Sequence, residues 1–273
     1  MIKIIVVILI LLFPINVNSG PIVYIEAAAG GPSGPAASNL VDMTSTTYEF
    51  SMTGTIPDLS GDYTICMIWR PDSTSVSEEY NSLLSQTVDG ESDDSIILIR
   101  NANLNGVNAV IWAANNDGTD PAISGNFTYS AGTDVRICIE QNFQTDITDC
   151  DFNFYVNGSS IGSSSSHYCS NTGTILGFNY VEYSDDAGTG YSGDLRIWPG
   201  TLKGATYIAD HNDCQLNTSA TGVGYWSIEE SSSPASDLYS TYSDMVAASG
   251  SSIATGQNPT WAGDSGADCY QTP

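Results

Sequence analysis

Carboxylates are the side chains best placed to do chemistry in this sequence. Asp93-Asp94 stand immediately before the apolar run Ser95-Ile-Ile-Leu-Ile99, and Glu182 with Asp185-Asp186 form a second acidic group further on. Clustered Asp and Glu, together with loop carbonyls, supply the six to eight hard oxygens that calcium takes. The plainer reading is a solvated acidic surface, natural in a chain with 31 Asp+Glu, 6 Lys+Arg and a net charge of −25. Asp89-Gly-Glu91 and Asp117-Gly-Thr-Asp120 are looser oxygen sources that read as turns. Tyr180, Tyr183 and Tyr191 flank the second acidic group. Beside a bound metal they could pack on the apolar face of a ligand; strand-end packing is their bland role.

Other chemistries have less support. The Glu-x-Asp-x-Glu run that spaces two carboxylates for retaining glycoside hydrolysis is missing, and Asp146-Ile-Thr-Asp149-Cys-Asp151 lacks the Glu residues. Gly263-Asp-Ser265-Gly266 matches a serine-protease nucleophile motif. However, His167 (SSSSHYC) and His211 (ADHNDC) lack the setting of a general base, so the motif reads as a turn. No Gly-rich phosphate loop or dinucleotide fingerprint is present. With 6 Lys+Arg against 31 Asp+Glu in 273 residues, the charge balance argues against binding nucleic-acid phosphates or adhering to an anionic membrane surface.

Lys3, the apolar run 4–13 (IIVVILILLF), Pro14 and the small-residue site Val17-Asn18-Ser19 have the order of a cleaved export signal. The run is too short to span a bilayer of about 30 Å. The expectation is a chain secreted or displayed outside a membrane, with no membrane insertion after cleavage. Cys66, Cys138, Cys150, Cys169, Cys214 and Cys269 agree with that compartment. An even count reads as three disulfides, for which 15 pairings exist. No CxxC is present, which argues against structural zinc. Sequons at Asn126, Asn157 and Asn217 are glycan sites in a glycosylating host.

The elements that must position these residues read as strands. Short apolar or alternating runs fall at 22–26, 47–52, 63–69, 82–88, 95–100, 107–113, 126–130, 135–141, 151–156, 174–178 and 195–198. They recur at about 8–14 residues, the spacing of a sandwich or jelly roll. Asn157-Gly158 between two such runs is a hairpin signal, because both turn positions tolerate positive φ. One short helix is expected at about 203–210, and helical periodicity is lacking elsewhere. The segments 27–38 (AAAGGPSGPAAS) and 229–258 are low in apolar alternation and read as surface loops.

Taken in order, several motifs resemble a family. Tyr63-Thr-Ile-Cys66-Met-Ile-Trp69 and Asp134-Val-Arg-Ile-Cys138-Ile-Glu140 are strands with a central Cys. Phe152-Asn-Phe-Tyr155-Val-Asn157-Gly158 follows, then Ile175-Leu-Gly177, the acidic group, and Ser192-Gly193-Asp194-Leu-Arg-Ile-Trp198. Gly224-Tyr-Trp226 is echoed by Asn258-Pro-Thr-Trp261. Over residues 46–261 this order resembles a pentraxin domain, within the wider laminin-G and concanavalin A-like jelly rolls. The family signature His-x-Cys-x-(Ser/Thr)-Trp is not kept: Arg136, Cys138, Glu140 and Gln141 stand at those positions, so only the Cys matches.

The resemblance implies a Cys66–Cys138 bond. Cys150 and Cys169 bracket the Asn157-Gly158 hairpin, so a staple across its open end is geometrically reasonable. Cys214–Cys269 then remains to tie the tail. The family holds calcium with an acidic pair ahead of an early strand and with acidic or amide residues after Leu-Gly. On that comparison Asp93 and Asp94 match the pair. Asp186, beside Asp185, falls on a ligand position counted back from Gly193-Asp194. Asn179 and Glu182 are imperfect substitutes in a run otherwise changed to Phe178-Asn179-Tyr180-Val181. Such a calcium offers open positions to hydroxyl or phosphate oxygens.

The expectation is therefore an all-β, disulfide-stapled antiparallel β-sandwich, a concanavalin A-like jelly roll with one short helix. Its parts would be a signal peptide at 1–19, a flexible segment at 20–45 and the domain at 46–273. Its role would be non-catalytic, calcium-assisted binding of an extracellular glycan or phosphate-bearing ligand, with homo-oligomerisation allowed. The alternative is a structural or adhesive surface protein that self-associates without metal; a hydrolase on the same fold is a third reading.

Overall fold

The computed structural model describes residues 39–44, 49–72, 81–88, 91–101, 108–113, 122–170, 173–178, 190–212, 223–226, 228, 233–237, 240–248 and 252–254. β1 (Leu40–Asp42), β2 (Glu49–Thr53) and β3 (Tyr63–Arg70) are followed by β4 (Asn81–Val88), β5 (Glu91–Asn101) and β6 (Asn108–Ala113). β7 (Ala122–Ile123), β8 (Phe127–Thr128), β9 (Val135–Phe143), β10 (Cys150–Val156) and β11 (Ser159–His167) come next. β12 (Ile175–Phe178), β13 (Tyr191–Pro199), helix α1 (Gly204–Asn212), β14 (Gly224–Trp226), β15 (Val246–Ala248) and β16 (Ser252–Ala254) complete the order.

The strands form two sheets. The first runs β11-β10-β9-β3-β13-β1-β16, with β14 also on β13; the second runs β15-β2-β12-β4-β5-β6-β7, with β8 also on β6. Every pairing of the named strands is antiparallel. The core lies between them. Tyr63, Ile65, Met67, Trp69, Ile137, Ile139, Phe152, Phe154, Leu195 and Ile197 enter it from the first sheet, and Phe50, Met52, Leu84, Ile97, Ile111, Leu176 and Phe178 from the second.

The central strands of the first sheet are buried on both faces. Cys66 and Cys138 alternate with those core residues and point the other way, into a smaller cluster with Tyr155, Trp198, Ile208 and Val223. This is why β3 reads as an almost unbroken apolar run rather than a strict alternation. The second cluster seats α1, whose nine residues are too few to be stable alone. Tyr207 meets Trp198 edge-on at 5.6 Å between ring centroids, and Lys203 lies over both rings.

Two disulfides fix this frame. Cys66 and Cys138 share a rung of the β3–β9 ladder and are bonded, with Cα atoms 4.1 Å apart. Cys150 and Cys169 are bonded at the open end of the β10–β11 hairpin. Cys214 and Cys269 lie outside the described residues, as do the expected strand at 22–26 and the turn at Gly263–Gly266.

Three expectations need correction. Leu40–Asp42, inside the segment expected to be flexible, is a strand between β13 and β16. Residues 229–258 are not only loop. β15 adds to β2, β16 adds to β1, Ala235 bridges Met245, and the buried carboxylate of Asp237 accepts the N–H groups of Tyr225, Thr241 and Tyr242. In both cases the pairing comes from neighbouring strands rather than from local apolar periodicity. β5 begins at Glu91 rather than Ser95, so the backbones of Asp93 and Asp94 belong to the strand and not to a loop ahead of it. Among the described residues no helix is long and apolar enough to cross a membrane.

Candidate functional site

The register brings four chain segments to one end of the first sheet. Tyr191, at the start of β13, pairs with Arg70, at the end of β3; Trp69 pairs with Val135, at the start of β9; and the Asn157-Gly158 turn caps β10 beside them. Gly190 has φ +119°, and a Cβ there would collide with the Arg70 carbonyl. Glycine is therefore what lets the chain enter β13 so close to the end of β3, directly after the sequence stretch 179–189 that carries Glu182, Asp185 and Asp186.

A cleft of about 360 Å³ opens between the β8–β9 connection and the β10–β11 turn. Thr128, Tyr129, Ser130, Thr133, Asp134 and Asn157 line it. Arg70 donates through Nε to Asp134 Oδ1 at 2.6 Å and through Nη2 to Oδ2 at 3.0 Å, a two-pronged pair that fixes the wall. Gly132, with φ +71°, turns the connection and donates its N–H to the Pro71 carbonyl. Asn157, with φ 48°, accepts the Arg136 N–H on Oδ1 at 2.9 Å. Tyr129 packs against Trp69 at 5.2 Å and closes the cleft from below.

On the second sheet, Asp94 pairs with Gln86 of β4, and Gln86 pairs with Leu176 of β12. One rung therefore joins the acidic pair to the strand that leads into residues 179–189. Phe178 lies two residues beyond that rung, about 7 Å at the rise of an extended strand. Of the residues expected to hold calcium, Asn179, Glu182, Asp185 and Asp186 lie outside the described residues, as do Tyr180 and Tyr183. Asp93 and Asp94 are described as strand backbone, and Tyr191 is half-buried opposite Arg70 and Asp42. Among the described residues no group of three or more His, Cys, Asp or Glu could hold a metal ion. Asn126 and Asn157 are exposed, as glycosylation would need, and Asn217 lies outside the described residues.

A buried charge cluster braces the outer face of the first sheet. Arg196 donates to Asp194 Oδ1 from Nη2 at 2.8 Å and from Nε at 3.2 Å, and its guanidinium stacks 4.5 Å from the Tyr225 ring centroid. Burial pushes the Asp194 carboxyl up from its ordinary pKa while Arg196 pulls against it. Nearby, Glu140 accepts the Tyr155 hydroxyl at 2.9 Å and the Gly204 N–H at 2.6 Å. Sequence reasoning missed the cleft residues Ser130, Thr133 and Asp134. Their run, Ser-Ala-Gly-Thr-Asp, carries only a turn signal, and the cleft arises from pairing with segments far away in the chain.

No protein-family model matches the chain, and no curated protein matches it. Solved structures do. A heptameric SAP-like pentraxin from Limulus polyphemus matches with a TM-score of 0.60 at 12% identity, covering 84% of this chain and 100% of that one. The fold is that of a pentraxin-like jelly roll. A proposed carbohydrate-binding protein from Bacteroides ovatus matches with a TM-score of 0.54 at 12% identity, over 79% of this chain and 59% of that one. Domains LG4-5 of the mouse laminin α1 chain match with a TM-score of 0.38 at 12% identity, over 59% of this chain and 41% of that one.

Proposed function

We propose that the chain is exported behind residues 1–19 and acts as a non-catalytic binding module that uses calcium to recognise glycans or phosphate-bearing ligands. The observation that best supports this is the shared rung of Asp94, Gln86 and Leu176. It sets an acidic pair two strands from the strand that feeds the acidic residues 179–189. Glu182, Asp185, Asp186 and the Asn179 amide, with whichever of the adjacent strand residues Asp93 and Asp94 faces the ion, would supply an all-oxygen donor set, which suits calcium. The fold neighbours fit the reading, one being a heptameric pentraxin and another a proposed carbohydrate-binding protein. Two disulfides suit an oxidising compartment.

Calorimetric titration of calcium into the mature protein, then a glycan array with and without chelator, tests the reading. Calcium uptake with chelator-sensitive glycan binding supports it. A protein that takes up no calcium at millimolar concentration sinks it and leaves the metal-free adhesive role.

A further inference from the structure

We infer that the cleft beside Asn157 is a second binding site, one that takes a neutral sugar without metal. Its chemistry sets the ligand class. The hydroxyls of Thr128, Ser130 and Thr133 have no intramolecular partner among the described residues. Asn157 spends only Oδ1, on the Arg136 N–H, and so keeps both amide N–H donors. These groups offer donors and acceptors side by side, as the hydroxyls of a sugar ring require.

Charged ligands fit poorly. The one carboxylate of the lining, Asp134, is already matched by Arg70 through two hydrogen bonds, so the cleft has neither a spare cation for an anion nor a spare anion for a cation. A lipid fits poorly too, because the apolar surface of the lining comes from the Tyr129 ring and Val135, residues only 6% and 2% exposed. The volume, about 360 Å³, lies near the lower end of small-molecule sites, which run from about 300 to 1,000 Å³, and suits a ligand of one or two rings. The walls are set before any ligand arrives. The Arg70–Asp134 pair and the Asn157–Arg136 hydrogen bond tie the lining to β3 and β9, and the Gly132–Pro71 hydrogen bond holds the connection that carries Ser130 and Thr133 against the residue after β3.

Asn157 is also a sequon residue, so the protein is best made without N-glycosylation. In the presence of chelator it is titrated with the methyl glycosides of glucose, galactose, mannose and N-acetylglucosamine. At least one is expected to bind at millimolar concentration or tighter. Asn157→Asp keeps the acceptor that holds the turn and removes the two donors, and should weaken binding at least tenfold. The double variant Ser130→Ala/Thr133→Val, on an exposed turn, should do the same with an unchanged melting temperature. Ser165→Ala, exposed on β11, should leave binding unchanged. No binding of any of the four glycosides in chelator, or wild-type affinity in both cleft variants, overturns the inference. Neither result bears on the calcium-dependent site, which is silent under chelation.

Discussion

Glu140 and Gly204 are joined by a 2.6 Å hydrogen bond in which a buried sheet carboxylate accepts the first N–H of helix α1. The other carboxylate oxygen accepts the Tyr155 hydroxyl, so one side chain ties β9, β10 and the helix together. Hydrogen bonds to charged groups contribute about 1.5–3 kcal/mol each, and a donor left buried without a partner costs more than a neutral replacement. Glu140→Ala should therefore lower the unfolding free energy by about 3 kcal/mol in urea titration. Its loss should first loosen the helix, read as faster amide exchange across 204–212.

The Asp194–Arg196 pair behaves differently, because both partners are charged and fully buried. Breaking such a pair strands the remaining charge, at about 3–5 kcal/mol. Arg196→Met should reach that loss. The double variant Asp194→Asn/Arg196→Met should recover part of it, since Asn tolerates the φ of 47° at position 194 and neither member of the pair is left as an unmatched charge; buried Arg136, which loses the Asp194 charge as well, keeps the recovery from being complete.

How far the sequence reveals the fold depends on where each strand gets its stability. β3, β9, β10 and β13 bring their own apolar residues, and the reading by pattern finds them within a few residues. β1 and β16 are three residues each, too short to show a period, and exist because they pair with each other and with β13. β11 is serine-rich and largely exposed, so only the hairpin turn announced it, and nothing local set its length to His167. The candidate calcium residues were legible as chemistry, but whether they meet depends on the path of residues 179–189, which no local pattern fixes. The cleft was illegible for a related reason: its lining joins Thr128 to Asn157 through a register that only the folded sheet creates.

The disulfides should differ in worth. In the chain-entropy account, a bond stabilises in proportion to the logarithm of the loop it closes. Cys66–Cys138 closes a separation of 72 residues and Cys150–Cys169 one of 19. Paired Ala replacements should cost about 4 kcal/mol for the first and about 3 kcal/mol for the second. Equal losses in denaturant midpoints, at equal m-values, would show that strain or residual structure outweighs loop length.

Alkaline pH should unfold the protein through its tyrosines. Burial raises the Tyr63 hydroxyl above its ordinary pKa of 10.0, against the pull of its hydrogen bond with Ser170. Burial and then Glu140 raise Tyr155 in the same direction. The sign follows from the neutral form being favoured in the fold. The contribution is complete below pH 10.0, the ordinary value, and is lost as pH rises from there through the raised folded values. The melting temperature should fall from about pH 10 upward, and tyrosinate absorbance should appear together with unfolding rather than before it. Tyr63→Phe should flatten that decline.

Calcium offers the sharpest test of the proposed function, because it asks two distant stretches of sequence to meet. Asp94 is joined to Leu176 through Gln86, so for Asp186 to reach it the chain after Phe178 would have to return about 7 Å along the strands and cross two strand spacings, about 10 Å. Residues 179–189 are long enough for that return, since an extended chain covers about 3.3 Å or more per residue. Carboxylates gathered in this way repel one another until a cation joins them. Calcium bound only by the folded state should therefore raise the melting temperature in proportion to the logarithm of its concentration above the Kd. Asp94→Ala and Asp186→Ala should each abolish the rise and leave the metal-free melt equal or slightly higher, because each removes a repulsion. A calcium-induced rise that survives both substitutions would place the ion elsewhere and separate the acidic pair of β5 from ligand recognition.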